Sequence, residues 1–455
     1  METSTLGIFK ATCKLGFALS ISRLLNILSM FIGTMMISRL GHYVLAASAL
    51  ITSLQATALM LGMSLLFSVG LLVARANGSK DFEKIGKLVQ QGLVLATILA
   101  FLIVFLVANI HSILSFFGQK KEIILVNDEY FKTYIFAIPA FLWCMVYQQF
   151  LLSINKQYFV ILMSAFSLVV SLLLAYTLVF GHFGAPALGV SGLGLAYAIQ
   201  AWFSLIGYLL FCHLPKGFRK FQINFRNVKK NINLLKTLFK LGYPICLQAS
   251  SDLFSFSFTT VMVGWLGVDA LAAQQIVTQY FMLLVVPVFA LSQASAILVG
   301  KAHGAKEYKE VRHYARVGLS VGLFFGAIIM FVFIYDPGTL VKIYFHDEAN
   351  ISPALFHLAT TVLILTGCRL FFDIISQIRA GSLRGLLDTS SPMKVSFISA
   401  WIIGVPISYI LAFYYHIGLI GMTIGGVCSM VFSAIILNFR WYRKSAMENL
   451  INFKH

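Results

Sequence analysis

Two acidic residues, Asp252 and Asp373, interrupt otherwise apolar stretches of this 455-residue chain. A charged side chain at the centre of a bilayer costs about 2.5–3.5 kcal/mol on insertion scales, so its default reading is functional. Burial disfavours the ionised form of a carboxylic acid, and a bound cation or a nearby arginine restores it. Such a group can exchange a proton for a cation near neutral pH, and two of them make a coupling site for Na⁺ or H⁺. Asp252 is flanked by Ser250, Ser251, Ser255 and Ser257, whose hydroxyls could complete a Na⁺ shell or satisfy a protonated acid. Asp373 has two readings. Arg369 lies one helical turn before it, so Asp373 is either a second coupling acid or the partner of a structural ion pair. The other acids, Glu2, Asp347 and Glu348 among them, fall in loops, at span ends or at the termini. Arg23, three residues before Asn26, is a further costly cation. Arg379 and Arg384 are expected near the inner end of a span, where long side chains snorkel cheaply.

The elements that must hold these residues are membrane helices. The sequence is 59% hydrophobic and 11% charged, against roughly 25% charged in soluble proteins. A hydrocarbon core about 30 Å thick needs roughly 20 apolar residues per helix. Twelve runs qualify: 16–38, 44–73, 88–112, 130–152, 158–180, 190–213, 242–265, 270–299, 313–334, 354–378, 393–415 and 417–439. Continuous apolar runs rather than alternation exclude a β-barrel, and the first run is too long for a removable signal peptide. The net charge of +18 does not indicate nucleic acid. Lys and Arg concentrate at the amino terminus, in 74–88, 214–240 and 301–316, and at the carboxyl end. By the positive-inside rule both termini and the long connector are cytoplasmic, and contact with anionic lipid is a secondary use of the charge. The six cysteines show no close pairing and read as packing residues.

The chain repeats itself. KLGFA at 14–18 returns as KLGYP at 240–244, an offset of 226, and the register runs without a gap from Lys14 to Leu93. Leu40-Gly41 meets Leu266-Gly267, and ARANGSKDF (74–82) meets GKAHGAKEY (300–308). Later, GVSGLGLAYA (189–198) echoes GLIGMTIGGV (418–427) at an offset of 229. The expected division is a six-helix half over 1–213, a basic connector over 214–240 and a second six-helix half over 241–455. Six spans per half is an even number, so the repeat is parallel, as in transporters whose halves rock about a central cavity. The fold expectation is an all-α polytopic membrane protein with 12 transmembrane helices in two pseudo-symmetric six-helix bundles around that cavity. The connector, aromatic and basic by turns, is either an amphipathic helix on the inner leaflet or a solvated linker. Asn26 is the register partner of Asp252, and Ala18 that of Pro244. Pro244, Pro287 and Pro406 lie in second-half spans against Pro139 alone in the first, so bending capacity and ionisable groups concentrate together. Pro244 is the candidate hinge.

With these residues in place, the chain resembles the multidrug and toxic compound extrusion (MATE) family, in its NorM-like and DinF-like bacterial branches. The resemblance covers nearly the whole chain. It rests on LGYP (241–244) with an acid eight residues after the proline, LAAQQI (271–276) and FFDIISQIRAGSLRG (371–385). It implies cation-coupled efflux of organic cations by alternating access, with Asp252 and Asp373 at the cation-site positions. The family's first-span aspartate falls on Gly33 here, and its usual first-span proline on Ala18, which favours coupling through the second half. Candidate cavity contacts are Asn26, Arg23, Arg369, Gln275 and Tyr147. The implied partners are a small-molecule substrate, Na⁺ or H⁺ and membrane lipids, with no cofactor, no nucleic acid and a monomeric chain in a bacterial inner membrane. Arg23, Arg369 and Arg379 point to an alternative, a flippase or exporter of an anionic or lipid-linked substrate. An intramembrane aspartyl enzyme is disfavoured because no Ser-His pairing, His-Glu metal spacing or GxGD-like string accompanies the acids; a receptor or passive scramblase needs no such asymmetric pair.

Overall fold

The computed structural model describes residues 5–223, 231–344 and 352–452. Connector residues 224–230, with their basic Arg226, Lys229 and Lys230, lie outside the described residues, as do Glu2, Asp347 and Glu348. The chain is about 90% helical, with no strand among the described residues. It runs α1 (Thr5–Ser38), α2 (His42–Gly78), α3 (Phe82–Ala108), α4 (Ile110–Phe116), α5 (Lys121–Tyr134), α6 (Ala137–Ser153), α7 (Gln157–Phe180) and α8 (Gly189–His213). After a 3₁₀ turn (Lys216–Phe221) come α9 (Ile232–Gly264), α10 (Val268–Gly304), α11 (Tyr308–Tyr335), α12 (Pro337–Tyr344) and α13 (Pro353–Gly385). The last stretch holds α14 (Ser390–Phe397), a π turn (Ile398–Gly404), α15 (Val405–Tyr409), a second π turn (Ile410–Tyr414) and α16 (Gly418–Asn452).

Among the described residues ten helical stretches are long and apolar enough to cross a membrane. The α5–α6 pair, bent by 54°, makes an eleventh. The twelfth is α9, which has the length, 33 residues, but whose apolar content is diluted by Lys236, Lys240, Gln248, four serines and Asp252. The span carrying the acid is the one that hydropathy serves worst. The fourth run, expected to be continuous over 130–152, is broken instead at Ile135–Phe136. Pro139 lacks the N–H that would reach the carbonyl of Ile135, so the break follows from sequence. The connector also differs from an inner-leaflet helix where it is described. Phe218 and Phe221 are buried, and Phe221 meets Phe82 and Phe150 edge-on at 5.6 and 5.3 Å. The Lys220 ammonium caps Phe82 at 4.5 Å. These aromatics face protein.

The chain divides into two compact units. One runs from Ala18 to Tyr243; the other takes the start of α1 through Phe17 and everything from Pro244 onward. The cuts therefore fall inside α1 and inside α9, at register-equivalent positions. The repeat is visible in the backbone as well. Gly41 and Gly267 take φ of 140° and 107°, and Lys80 and Lys306 take 58° and 60°. Each pair is 226 residues apart, so both copies turn at the same residue in the same left-handed conformation.

In the N-terminal unit, α2 packs on α3, α5 and α6, while α8 packs on α5, α6 and α7. Small and polar residues set the close approaches, as expected where lipid gives no hydrophobic drive for helix association. The Ser153 hydroxyl donates to the Gly70 carbonyl at 2.9 Å, and the Asn77 amide donates to the Ser153 carbonyl at 2.9 Å. In the C-terminal unit α13 is central, packed on α10, α11 and α16. Its string GSLRG explains why: a Cβ on Gly381 would meet the Ser292 carbonyl, and one on Gly385 would lie 2.7 Å from the Ala296 carbonyl. Ser292 donates to the Gln377 carbonyl at 2.6 Å, and Ser295 and Ser382 share a hydrogen bond of 2.8 Å. All six cysteines are free.

Candidate functional site: a charged cluster in the C-terminal unit

Helix α9 presents Asp252, half-buried, toward α14. Ser396 donates its hydroxyl to the carboxylate at 2.5 Å. One residue earlier, Ser251 accepts the Trp401 indole N–H at 3.0 Å. One turn before that, Gln248 accepts from the Arg384 guanidinium at 2.8 Å. Three side-chain hydrogen bonds thus fasten α9 to α13 and to the helix beginning at Ser390. The serine patch on α9 plays a smaller part than its sequence suggests. Ser250 bonds the Cys246 carbonyl of its own helix, and the donor to Asp252 comes from Ser396, 144 residues away.

Asp373 projects from α13 and is 5% exposed. Its carboxylate accepts from the Gln377 amide at 3.3 Å. No ion pair within 4.0 Å joins it to Arg369, whose guanidinium lies over the Phe281 ring at 5.2 Å with Nε unpartnered. Gly426 on α16 lies against it: a Cβ there would be in ordinary van der Waals contact, 3.5 Å from the guanidinium. Asp252 interacts electrostatically with Asp373, Arg384 and Arg369. The fold thus gathers two acids and two arginines from α9 and α13 into one cluster, with hydroxyl and amide groups to complete it.

Arg384 and Arg379 do not snorkel. Arg384 is 8% exposed and reaches inward to Gln248. Arg379 is also buried; its Nε donates to Asn438 at 2.8 Å, and its plane lies over Trp441 and Tyr442. Arg379 faces α16 and Arg384 faces α9, while Gly381 and Gly385 face α10. Pro244 is buried within α9, at the cut between the units, where it removes a backbone donor. Gln275 is exposed on α10. Asn26 (exposed) and Arg23 (half-buried) lie on the part of α1 that belongs to the N-terminal unit. Tyr147 is 1% exposed and stacks on Tyr208 at 6.5 Å within that unit's packing. Among the described residues no group of three or more His, Cys, Asp or Glu is placed to hold a metal ion. The two carboxylates with neutral oxygens around them can accept a proton or a hard monovalent cation.

Sequence reasoning missed Ser396, Gln248, Gln377 and Trp401. Gln248 and Gln377 could have been found, since each is a polar residue one turn from an acid on the same helix. Ser396 and Trp401 carry no such signal, because their roles depend on how α14 docks.

A duplicated helical membrane protein with an ionisable cluster inside one repeat has the architecture of a membrane transporter. The MatE family model matches residues 18–177 and 244–410. The chain belongs to this transporter family. It is 28% identical over 443 residues to "Probable multidrug resistance protein NorM" of Pseudomonas putida, covering 96% of this chain and 95% of that protein. The protein of the same name from Brucella suis is 25% identical, covering 95% of this chain and 92% of the relative. Solved structures share the fold. One described as the "outward-facing conformation of a multidrug resistance MATE family transporter of the MOP superfamily" aligns at TM-score 0.86 with 18% identity, over 97% of this chain and 96% of that one. A "MATE in the bent conformation" aligns at 0.88 with 17% identity over 99% of each chain. A MOP superfamily transporter from Pyrococcus furiosus, described as having reverse polarity of its binding pocket, aligns at 0.85 with 18% identity over 97% of each chain.

Proposed function

We propose that this protein exports amphipathic organic cations by alternating access, driven by exchange for Na⁺ or H⁺ at Asp252 and Asp373. The observation that carries the reading is the cluster itself. Two membrane-embedded acids share one electrostatic site in the C-terminal unit, and Asp373 makes no direct ion pair with Arg369 that would retire it to a structural role. Ser396 can donate to an ionised Asp252 or turn its lone pairs toward a protonated one, so both states of the acid are satisfied without moving the backbone. Arg369 and Arg384 offset part of the negative charge when the acids are empty, which keeps an ion-free state accessible. Relatives named for multidrug resistance support the substrate class. The basic loops support a bacterial inner-membrane protein with cytoplasmic termini, and Pro244 serves as the hinge of α9.

A second reading is favoured by one feature, the two arginines beside the acids, each with an unpartnered Nε. They would suit an anionic or lipid-linked substrate, and the reverse polarity ascribed to the Pyrococcus transporter's pocket is in keeping with it. Ethidium transport in proteoliposomes under imposed Na⁺ or pH gradients separates the two. Gradient-driven uptake lost in Asp252→Asn and in Asp373→Asn supports coupling through the acids. Unchanged driven uptake in both variants rejects it, and movement of an anionic probe with none of ethidium selects the second reading.

A further inference from the structure

A polar cavity of about 550 Å³ lies within the N-terminal unit, in the size range of small-molecule sites, roughly 300–1,000 Å³. Three pieces of chain line it: the start of α3 with Glu83 and Lys87, the end of α8 with Cys212 and His213, and the 3₁₀ turn with Phe218 and Arg219. The cavity exists because the turn docks on α3. A Cβ on Gly86 would collide with the Phe221 carbonyl, and the Gln90 amide donates to the Gln222 carbonyl at 3.4 Å. Phe218 meets Phe150 and Phe211 at 6.3 and 5.3 Å. With Cys212, also buried, it supplies an apolar base beneath the charged groups.

Those groups are mostly cationic. Glu83 holds Lys87 at 2.6 Å. His213 donates Nδ1–H to the Leu209 carbonyl at 3.0 Å, which fixes its ring in the lining. The exposed Arg219 guanidinium has no ion-pair or hydrogen-bond partner among the described residues, and its planar fork of donors matches phosphate oxygens. The apolar run of α3 begins at 88 and that of α8 ends at 213, so the cavity stands where both helices leave the hydrocarbon. The positive-inside rule assigns this surface to the cytoplasm, where basic pockets between helix ends take anionic headgroups. The repeat itself does not require a hollow here. At the offset of 229, Trp441 and Tyr442 of α16 stand where α8 has Cys212 and His213. Trp441 is 3% exposed, and the Arg379 guanidinium lies over both rings. Cys212 cannot fill the volume that an indole fills in the other repeat.

We infer that this cavity binds a phosphate-bearing anion through Arg219 and Lys87, as the headgroup of an acidic phospholipid or as a soluble phosphate compound. Glu83 sets the strength of the site, since bound phosphate competes with its carboxylate for the Lys87 ammonium. The inference does not depend on the export reading above: it concerns how the connector is held at the membrane surface, and the coupling acids take no part in it.

Native mass spectrometry of the detergent-solubilised full chain, titrated with phosphatidylglycerol or phosphatidylcholine, tests it. The first phosphatidylglycerol should bind about fivefold tighter than phosphatidylcholine. Arg219→Gln, at an exposed position, should weaken phosphatidylglycerol about fivefold, the worth of one basic side chain at an anionic surface. Glu83→Gln releases Lys87 and should strengthen binding about threefold, the scale of an exposed ion pair. Excess glycerol 3-phosphate distinguishes the sources. Displacement of the lipid supports a soluble phosphate ligand, and retention of the lipid supports the headgroup. Equal affinity for the two lipids, or an unchanged first binding step in both Arg219→Gln and Glu83→Gln, overturns the site. So does equal weakening by Lys309→Gln, an exposed lysine of the other unit, because the attraction would then be one of net charge.

Discussion

The two repeats fold alike and differ in what they bury. In the N-terminal unit the polar contacts between α2, α5 and α8 are neutral. Tyr130 donates to Gln55 at 2.8 Å, Tyr134 stacks on Tyr130 at 5.3 Å, and the Tyr197 hydroxyl reaches the Ser29 carbonyl at 3.2 Å. In the C-terminal unit the corresponding volume holds Asp252, Asp373, Arg369 and Arg384. The exchange can be followed residue by residue. Asp252 stands against Asn26, and the offset of 229 carries Gly426 onto Tyr197. At that last position, Gly426 lies against the Arg369 guanidinium. Tyr197 instead fills the space beside Gly33 that a Cβ would claim. A single repeat can therefore be closed with neutral hydrogen bonds or with ionisable groups. On the proposed reading, ion chemistry belongs to the C-terminal unit.

The largest effect that would break this contrast is on transport. Asp252→Asn makes the charged unit resemble the neutral one at that position, and driven uptake should fall to the undriven background. Next is Gly426→Leu. A larger side chain there must displace Arg369, and overpacking of this kind costs about 1–3 kcal/mol. Thermal unfolding in detergent should register the loss together with reduced driven uptake. Gly33→Ala acts on the neutral side. Its Cβ collides with the Tyr197 hydroxyl, so stability should drop by about 1–2 kcal/mol and recover in part in Gly33→Ala/Tyr197→Phe.

The smallest effect lies outside the spans. Asp388 accepts from the Ser391 amide and hydroxyl at 3.1 and 3.0 Å and pairs with Arg440 and Lys444 at 3.1 and 3.3 Å. Burial pushes its pKa up, but Lys444, Ser391 and Arg440 outweigh burial and hold it below the usual carboxylate range. A depressed native pKa stabilises the fold above the unfolded value, and that stabilisation is lost as pH falls through the native one. Asp388→Asn should cost about 1 kcal/mol at neutral pH. The gap from wild type should close on acidification below the ordinary aspartate range, as read by unfolding temperature against pH.

Much of this was legible before any coordinates. The spans, the repeat and the two acids follow from transfer energetics and register alone, because a bilayer penalises every charge it holds. Even the break near Pro139 could have been read from the missing N–H. The sequence did not show which way α13 is rotated. Arg384 sits near the end of its helix and looks free to snorkel, yet the glycine contacts set α13 against α10, and Arg384 faces α9 and Gln248. Nor could it show Ser396 as the donor to Asp252, since a serine in a helix carries no mark of the partner another helix brings. Helix existence is written locally. Helix rotation and docking are set by contacts far apart in the chain, and the site is made from those.

The most direct test of the asymmetry is a charge transplant. Ethidium uptake driven by a Na⁺ or pH gradient would be measured in proteoliposomes for wild type, Asp252→Asn and Asn26→Asp/Asp252→Asn, with protein folding checked by unfolding temperature. The account predicts that Asp252→Asn abolishes driven uptake and that an acid at position 26 does not restore it, because it would stand beside Arg23 and apart from Asp373, Arg369 and Arg384. Driven uptake regained in the double variant would contradict it, and would mean that either repeat can carry the ion.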